Sequence, residues 1–95
     1  MIGVYAVCRL KEGQQKAFEA LAEELAQASR QEVGCLQYRY GKIKDQDNAY
    51  AFMEQWQSQA HLEAHFQQPH FLRAGEALGQ LLASALEISV VELAD

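Results

Sequence analysis

The sequence predicts an α+β protein in which four antiparallel strands form one sheet and the helices cover one of its faces. Three observations lead to this prediction. Four segments have the composition and alternation of strands, and the stretches between the first and last pairs of strands have helical periodicity. The connections are short and contain no repeats or linkers. The chain has 95 residues, which fits a single domain over residues 1–95.

The first part of the chain supplies one strand and one long helix. Residues 2–10 are rich in strand-forming residues and apolar on both faces, which is typical of a central strand. After a turn at residues 11–13, a helical pattern runs from Gln14 to about Gln31 and ends near Gly34. The apolar face of this helix recurs at three- and four-residue steps through Phe18, Leu21, Ala22 and Leu25.

A hairpin is predicted next. Residues 35–42 alternate, and residues 49–57 do the same after a polar turn at residues 44–48. The first of these strands is predicted to place on one face Leu36, Tyr38 and Tyr40. The second is predicted to place on one face Tyr50, Phe52, Glu54 and Trp56. A carboxylate therefore stands within an otherwise apolar strand face.

The second helical region contains two histidines. Ser58 is a natural N-cap, and the i, i+3, i+4 spacing of Leu62, His65 and Phe66 puts His65 on the apolar face. Proline is disfavoured in the interior of a helix but is common in its first turn, so Pro69 is predicted to begin a further helical run. We therefore expect an imidazole to face the sheet.

Residues 86–93 are predicted to complete the sheet as its fourth strand. The resulting order, βαββαβ, is that of the ferredoxin-like fold. Helices cover one face of such a sheet, whereas the strands here carry apolar residues on both faces. The other face needs a partner, and a second copy of the chain is the simplest one. We therefore expect a homodimer.

The composition argues against several classes of protein. The net charge is −5, and the 8 basic residues are scattered, so we expect no nucleic-acid interface. We expect no membrane association and a cytoplasmic location, because no apolar run has transmembrane length and the N-terminus does not resemble a signal peptide. Cys8 and Cys35 fit no metal or redox spacing. His61 and His65 have no third ligand at a suitable spacing, so no metal site is expected.

Three groups of residues stand at spacings that together resemble one known family. They are Glu32-x-Gly34-Cys35-x-x-Tyr38, Phe52-x-Glu54-x-Trp56 and Ala60-x-x-x-x-His65-x-x-x-x-His70-Phe71. Through them the chain is similar, over nearly its whole length, to the antibiotic biosynthesis monooxygenases. The resemblance implies a dimeric α/β barrel. It also implies oxygen chemistry without a flavin, a metal or any other cofactor.

The family also contains haem-degrading enzymes, which share an Asn on the first strand and a Trp and a His in the second helical region. This chain has Cys8, His65 and Gly75 at those positions, so haem degradation is not expected. The quinol-oxidising members resemble the chain more closely through Trp56 and the segment with two histidines. The resemblance therefore implies a small aromatic substrate, a quinol or polyketide-like phenol, and O2 as partners.

The predicted site is a cavity between the sheet and the helices. His65 and Glu54 are the predicted catalytic residues, with a neutral imidazole taking the phenolic proton so that the electron-rich anion can reduce oxygen. The predicted substrate-binding residues are Tyr38, Trp56, Phe66, His70, Phe71 and Arg73. Aromatic walls would supply stacking and a few polar groups would fix the orientation of the substrate.

Each of these residues also has a purely structural explanation. His65 would be a core histidine bonded to a backbone carbonyl, and Glu54 would pair with a neighbouring strand. Two other functions stay open on the same scaffold. One is an isomerase or other proton-transfer enzyme that acts on a hydroxy-carbonyl compound or sugar phosphate. The other is a dimeric ligand-binding protein without turnover.

Overall fold

The computed structural model describes residues 1–94 and shows a four-stranded sheet with helices packed on one face. Its elements are β1 (Ile2–Arg9), α1 (Gln15–Ser29), β2 (Cys35–Lys42), β3 (Ala49–Trp56), α2 (Gln59–His65), α3 (Pro69–Leu81) and β4 (Glu87–Glu92). The predicted α+β class and ferredoxin-like order are confirmed, with the second helical region divided into α2 and α3. Asp95, the last residue of the predicted 1–95 domain, lies outside the described residues.

The strand order is β2-β3-β1-β4, and every pairing is antiparallel. β1 is an interior strand, as its apolar character on both faces predicts. The register pairs Glu54 of β3 with Val4 of β1 on one side and with Tyr38 of β2 on the other. Because paired residues share a face of the sheet, the Glu54 side chain lies between an aromatic and an aliphatic neighbour.

One sequence-based prediction for β2 is wrong. Leu36 was expected to share a face with Tyr38, but a β-bulge separates them: Cys35 pairs with Trp56, and Gln37 pairs with the next residue, Gln55. The extra residue in β2 shifts the alternation of side chains by one. Consequently Leu36 is 54% exposed, whereas Tyr38 is buried and Cys35 packs against the core.

The connections agree with the predicted signals. The Ser58 hydroxyl accepts a hydrogen bond of 3.3 Å from the backbone N–H of His61, so Ser58 is the N-cap of α2. Pro69 lies in the first turn of α3. Gly34 has a φ of +86° between α1 and β2, a conformation that favours glycine. A Cβ at Gly34 would also collide with the His61 ring.

The core lies between the sheet and the helices, and the opposite face of the sheet is open. The core is built around the large buried side chains Phe18, Tyr38, Phe52, Trp56 and Leu62. On the open face the side chains of Tyr5, Met53 and Val91 are 44%, 52% and 46% exposed. Among residues 1–94, no helix is both long and apolar enough to cross a bilayer.

Candidate active site

The centre of the site is the buried carboxyl group of Glu54. Its residue is only 8% exposed, and Nε1–H of Trp56 donates a hydrogen bond of 2.9 Å to Oε1. Burial raises the pKa of Glu54 from 4.5 to about 7, the hydrogen bonds from Trp56 and Tyr38 oppose that rise, and the charge of Glu32 adds to it. A carboxyl group with this pKa can hold or release a proton near neutral pH.

Glu54 faces a small apolar cavity beneath the helices. The cavity has a volume of about 60 Å³, and its aromatic lining consists of Tyr38, Phe52, Phe66 and Phe71. The rest of the lining is Val4, Ala6, Leu25, Ala74, Gly75, Leu78, Leu86 and Ile88. Among the described residues that line the cavity, Glu54 carries the one carboxyl group, and none carries a positive charge. The cavity thus joins an apolar wall to a single proton-exchanging group.

The edge strand β4, beside the cavity, is exposed along its length. Ile88 of β4 belongs to the lining and is 46% exposed. Phe66, at the C-terminus of α2, and Phe71, in the first turn of α3, are only partly buried, and their ring centroids lie 5.1 Å apart. The wall nearest the solvent is therefore made of partly exposed side chains.

His65 lies behind this wall and does not belong to the lining. It is completely buried, and its ring centroid lies 4.6 Å from that of Trp56 and 4.8 Å from that of Phe71. Burial lowers the pKa of His65, although the hydrogen bond and charge of Glu32 act against this effect. Within residues 1–94, Nε2 of His65 has no hydrogen-bond partner.

Glu32 joins the two histidines that the sequence singles out. Its Oε2 lies 2.6 Å from Nδ1 of His65 and 2.6 Å from Nε2 of His70. These three side chains offer donor atoms that lie within 4.8 Å of one another, so they are the residues best placed to hold a metal ion. Sequence reasoning did not include Glu32 in the site. Its one signal is the Glu32-x-Gly34 motif, since 33 residues separate it from His65.

The remaining predicted site residues lie outside the lining of the cavity. Trp56 is completely buried and acts on the site through its bond to Glu54. Arg73 lies in an outer groove of about 270 Å³ between α1 and α3, and His70 lines the same groove. The structure thus brings together in the cavity Tyr38, Glu54, Phe66 and Phe71, and it places the other four predicted residues beside or behind it.

Comparisons with known proteins agree with this architecture. Residues 1–77 match the family model described as antibiotic biosynthesis monooxygenase. Protein sll1783 of Synechocystis, described as uncharacterized, is 33% identical over 87 residues, and the match covers 92% of this chain but only 59% of that relative. The chain thus spans less than two thirds of that relative's length.

Solved structures show the same fold. The structure of PA3566 from Pseudomonas aeruginosa has a TM-score of 0.88 at 31% identity, with 98% of this chain and 94% of that chain covered. A candidate antibiotic biosynthesis monooxygenase from Caulobacter crescentus has a TM-score of 0.94 at 28% identity, with coverage of 99% and 90%. These matches extend the similarity beyond the region of the family model to nearly the whole chain.

Proposed function

Because this chain belongs to the antibiotic biosynthesis monooxygenase family, we propose that it is a monooxygenase that oxidises a quinol or polyketide-like phenol with O2, with Glu54 as the base. The observation that carries the proposal is the Glu54 carboxyl group, which lines an apolar cavity and has a pKa of about 7. A base is most effective when its pKa lies near the working pH. Glu54 meets this condition and faces the cavity, whereas His65 does not line it.

The proposed reaction needs no external reductant. Glu54 accepts the phenolic proton, and the resulting anion passes an electron to O2. The superoxide and the substrate radical then combine, and loss of water gives the product. A quinol with a ring C–H plus O2 thus becomes a hydroxyquinone plus water, with all four electrons supplied by the substrate. The contribution of the protein is a proton acceptor, alignment and the exclusion of water.

Substrate entry requires the cavity to enlarge. Its volume of about 60 Å³ is well below the roughly 300–1,000 Å³ of ordinary ligand sites. We propose that Phe66 and Phe71 turn aside at the exposed edge strand beside Ile88, so that the substrate ring replaces their mutual contact. This movement would bring a phenolic hydroxyl to Glu54 while Tyr38 stacks against the ring.

We also propose that the chain works as a homodimer through the open face of the sheet. Tyr5, Met53 and Val91 expose apolar surface there, on the face opposite the cavity. Pairing two such faces would remove this surface from water, which stabilises the dimer by about 25 cal/mol for each Å² of apolar surface buried. The cavity of each chain would stay on the outside of the paired sheets.

Oxygen uptake with a panel of quinols and polycyclic phenols tests the proposed function. The wild-type chain should consume O2 with at least one of them. Glu54→Gln should lower kcat/KM by roughly 100-fold or more, because general bases contribute about 10²–10⁴-fold. Glu12→Gln, at an exposed turn residue, is the matched control and should behave as wild type.

Two results would contradict the proposal. Conversion that continues at an equal rate under nitrogen would identify a proton-transfer enzyme, for which Glu54 would be equally suited. Ligand binding without conversion in either atmosphere would identify a binding protein. A sugar phosphate is the less suitable substrate, because no Lys or Arg lines the cavity in the described part of the chain.

A further inference from the structure

We propose that Glu32, His65 and His70 form a binding site for a divalent transition-metal ion. Two imidazoles and one carboxylate are a ligand set that suits zinc and its neighbours in the first transition row. Three protein ligands leave a fourth position for water or another small ligand. This site lies apart from the cavity of Glu54, and we assign the metal no step in the proposed oxidation.

The three donor atoms already converge. Oε2 of Glu32 is 2.6 Å from a ring nitrogen of each histidine, and all three donors lie within 4.8 Å of one another. Zinc bonds of about 2.0–2.2 Å would hold neighbouring donors about 3.3 Å apart in a tetrahedral site. Each histidine nitrogen would therefore have to separate from the Glu32 oxygen by about 0.7 Å. The two histidine nitrogens, which lie within 4.8 Å of each other, would have to settle about 3.3 Å apart.

The polypeptide holds the ligands from three separate elements. Glu32 belongs to the turn between α1 and β2, where its N–H donates to the Ser29 carbonyl and its own carbonyl accepts from the N–H of Cys35. His65 is the last residue of α2 and is fixed by aromatic rings on several sides. His70 lies in the first turn of α3. Such a site needs little rearrangement on binding, which favours affinity.

The site is open to an ion from solvent, and the positive charge of the ion would compensate the negative charge of Glu32. The side chains of Glu32 and His70 are 10% and 19% exposed, whereas that of His65 is fully buried. His70 also lines the outer groove between α1 and α3. A nearly buried carboxylate facing two ring nitrogens is stabilised by hydrogen bonds, but a divalent cation would compensate its charge more completely.

Two measurements on the untagged full chain test this proposal: isothermal titration calorimetry with zinc chloride, and thermal unfolding at increasing zinc concentrations. We expect one zinc ion per chain and a thermal midpoint that rises with zinc concentration. His70→Ala and Glu32→Gln should each weaken binding by about 100-fold or more, because even the loss of an outer-shell partner costs about 10–100-fold. Cobalt(II) bound in place of zinc should show visible bands that His70→Ala abolishes.

His61→Ala is the matched control, because His61 lies one turn before His65 on α2 and bonds to Ser58 instead. It should bind zinc as the wild type does. The proposal would be overturned if the wild-type chain did not bind zinc, or if His70→Ala bound it equally well. Neither result would bear on the proposed monooxygenase activity, which the oxygen-uptake assay tests separately. If Glu32→Gln does not fold, the zinc titrations of the wild-type chain and of His70→Ala, whose substituted side chain is partly exposed, still test the proposal.

Discussion

Trp56 and Glu54 lie two residues apart on β3, and the indole N–H donates a hydrogen bond of 2.9 Å to the carboxyl oxygen. Alternation along the strand puts both side chains on the helix side of the sheet. The bond gives one oxygen of this buried carboxyl group a hydrogen-bond donor. It also lowers the pKa of Glu54, although burial outweighs it and keeps that pKa near 7.

Stability should depend on pH through Glu54. Its pKa is about 7 in the folded chain, against the ordinary value of 4.5, so between these values the folded state binds more protons than the unfolded state. The free energy of unfolding therefore falls as pH rises through this window, by about 3 kcal/mol at most. Glu54→Gln should resemble wild type near pH 5 and be more stable by about 2–3 kcal/mol near pH 8.

Urea unfolding of both proteins across this pH range measures the effect. The difference between them cancels the contributions of other titrating groups, such as His65. Glu12→Gln serves as the control and should follow the wild-type curve. Parallel curves for Glu54→Gln and wild type from pH 5 to pH 8 would contradict a raised pKa for Glu54.

Trp56→Phe should raise the pKa of Glu54 further. The substitution removes the one indole donor, and the donor favours the charged carboxylate. The acidic limb of the pH profile of kcat/KM, where the rate rises as Glu54 loses its proton, should move to higher pH. The chain should also lose about 1–3 kcal/mol of stability, because Trp56 is completely buried. An unchanged profile would show that the indole does not act on the carboxyl group.

Gly34→Ala should destabilise the chain more than Gly13→Ala does. Both glycines have positive φ, +86° and +83°, so both substitutions incur about 1–2 kcal/mol of backbone strain. A Cβ at position 34 would also collide with the His61 ring, whereas no atom of residues 1–94 would lie within 4 Å of a Cβ at position 13. Thermal unfolding of the two variants measures the difference in stability. Equal losses of stability would mean that α2 moves away from a Cβ at position 34 at no cost in free energy.

Met53→Asp should separate the proposed dimer. Met53 is 52% exposed on the open face, and a charge there would have to be buried between two sheets. Leu72→Asp is the control, since Leu72 is 56% exposed on α3, on the helix side of the sheet. Sedimentation velocity should give a dimer for wild type and the control and a monomer for Met53→Asp. A monomeric wild-type chain would contradict the homodimer.

The sequence predicts most of the fold because its signals are local. The alternation in residues 49–57, the N-cap at Ser58 and Pro69 at the start of a helix each act over a few residues. The β-bulge at Leu36 has no such signal, since one extra residue in β2 is visible only against its partner strand. The prediction for Leu36 failed for that reason.

The candidate site depends on contacts that are distant in sequence. The positions of Glu54 and His65 on apolar faces are predictable from periodicity. The link between Glu32 and both histidines is not, because it depends on how the turn after α1 meets the junction of α2 and α3. The choice between Glu54 and His65 as the residue facing the cavity likewise depends on packing that periodicity does not describe.

The protonation of Glu54 is the most direct test of the proposed chemistry. We suggest titrating the side-chain carboxyl carbons of glutamate by NMR in a carbon-13-labelled chain, with Glu54→Gln to assign the resonance. We expect one carboxyl group, absent from the variant, with a midpoint near pH 7. A midpoint for Glu54 near the ordinary value of 4.5 would contradict the proposed chemistry.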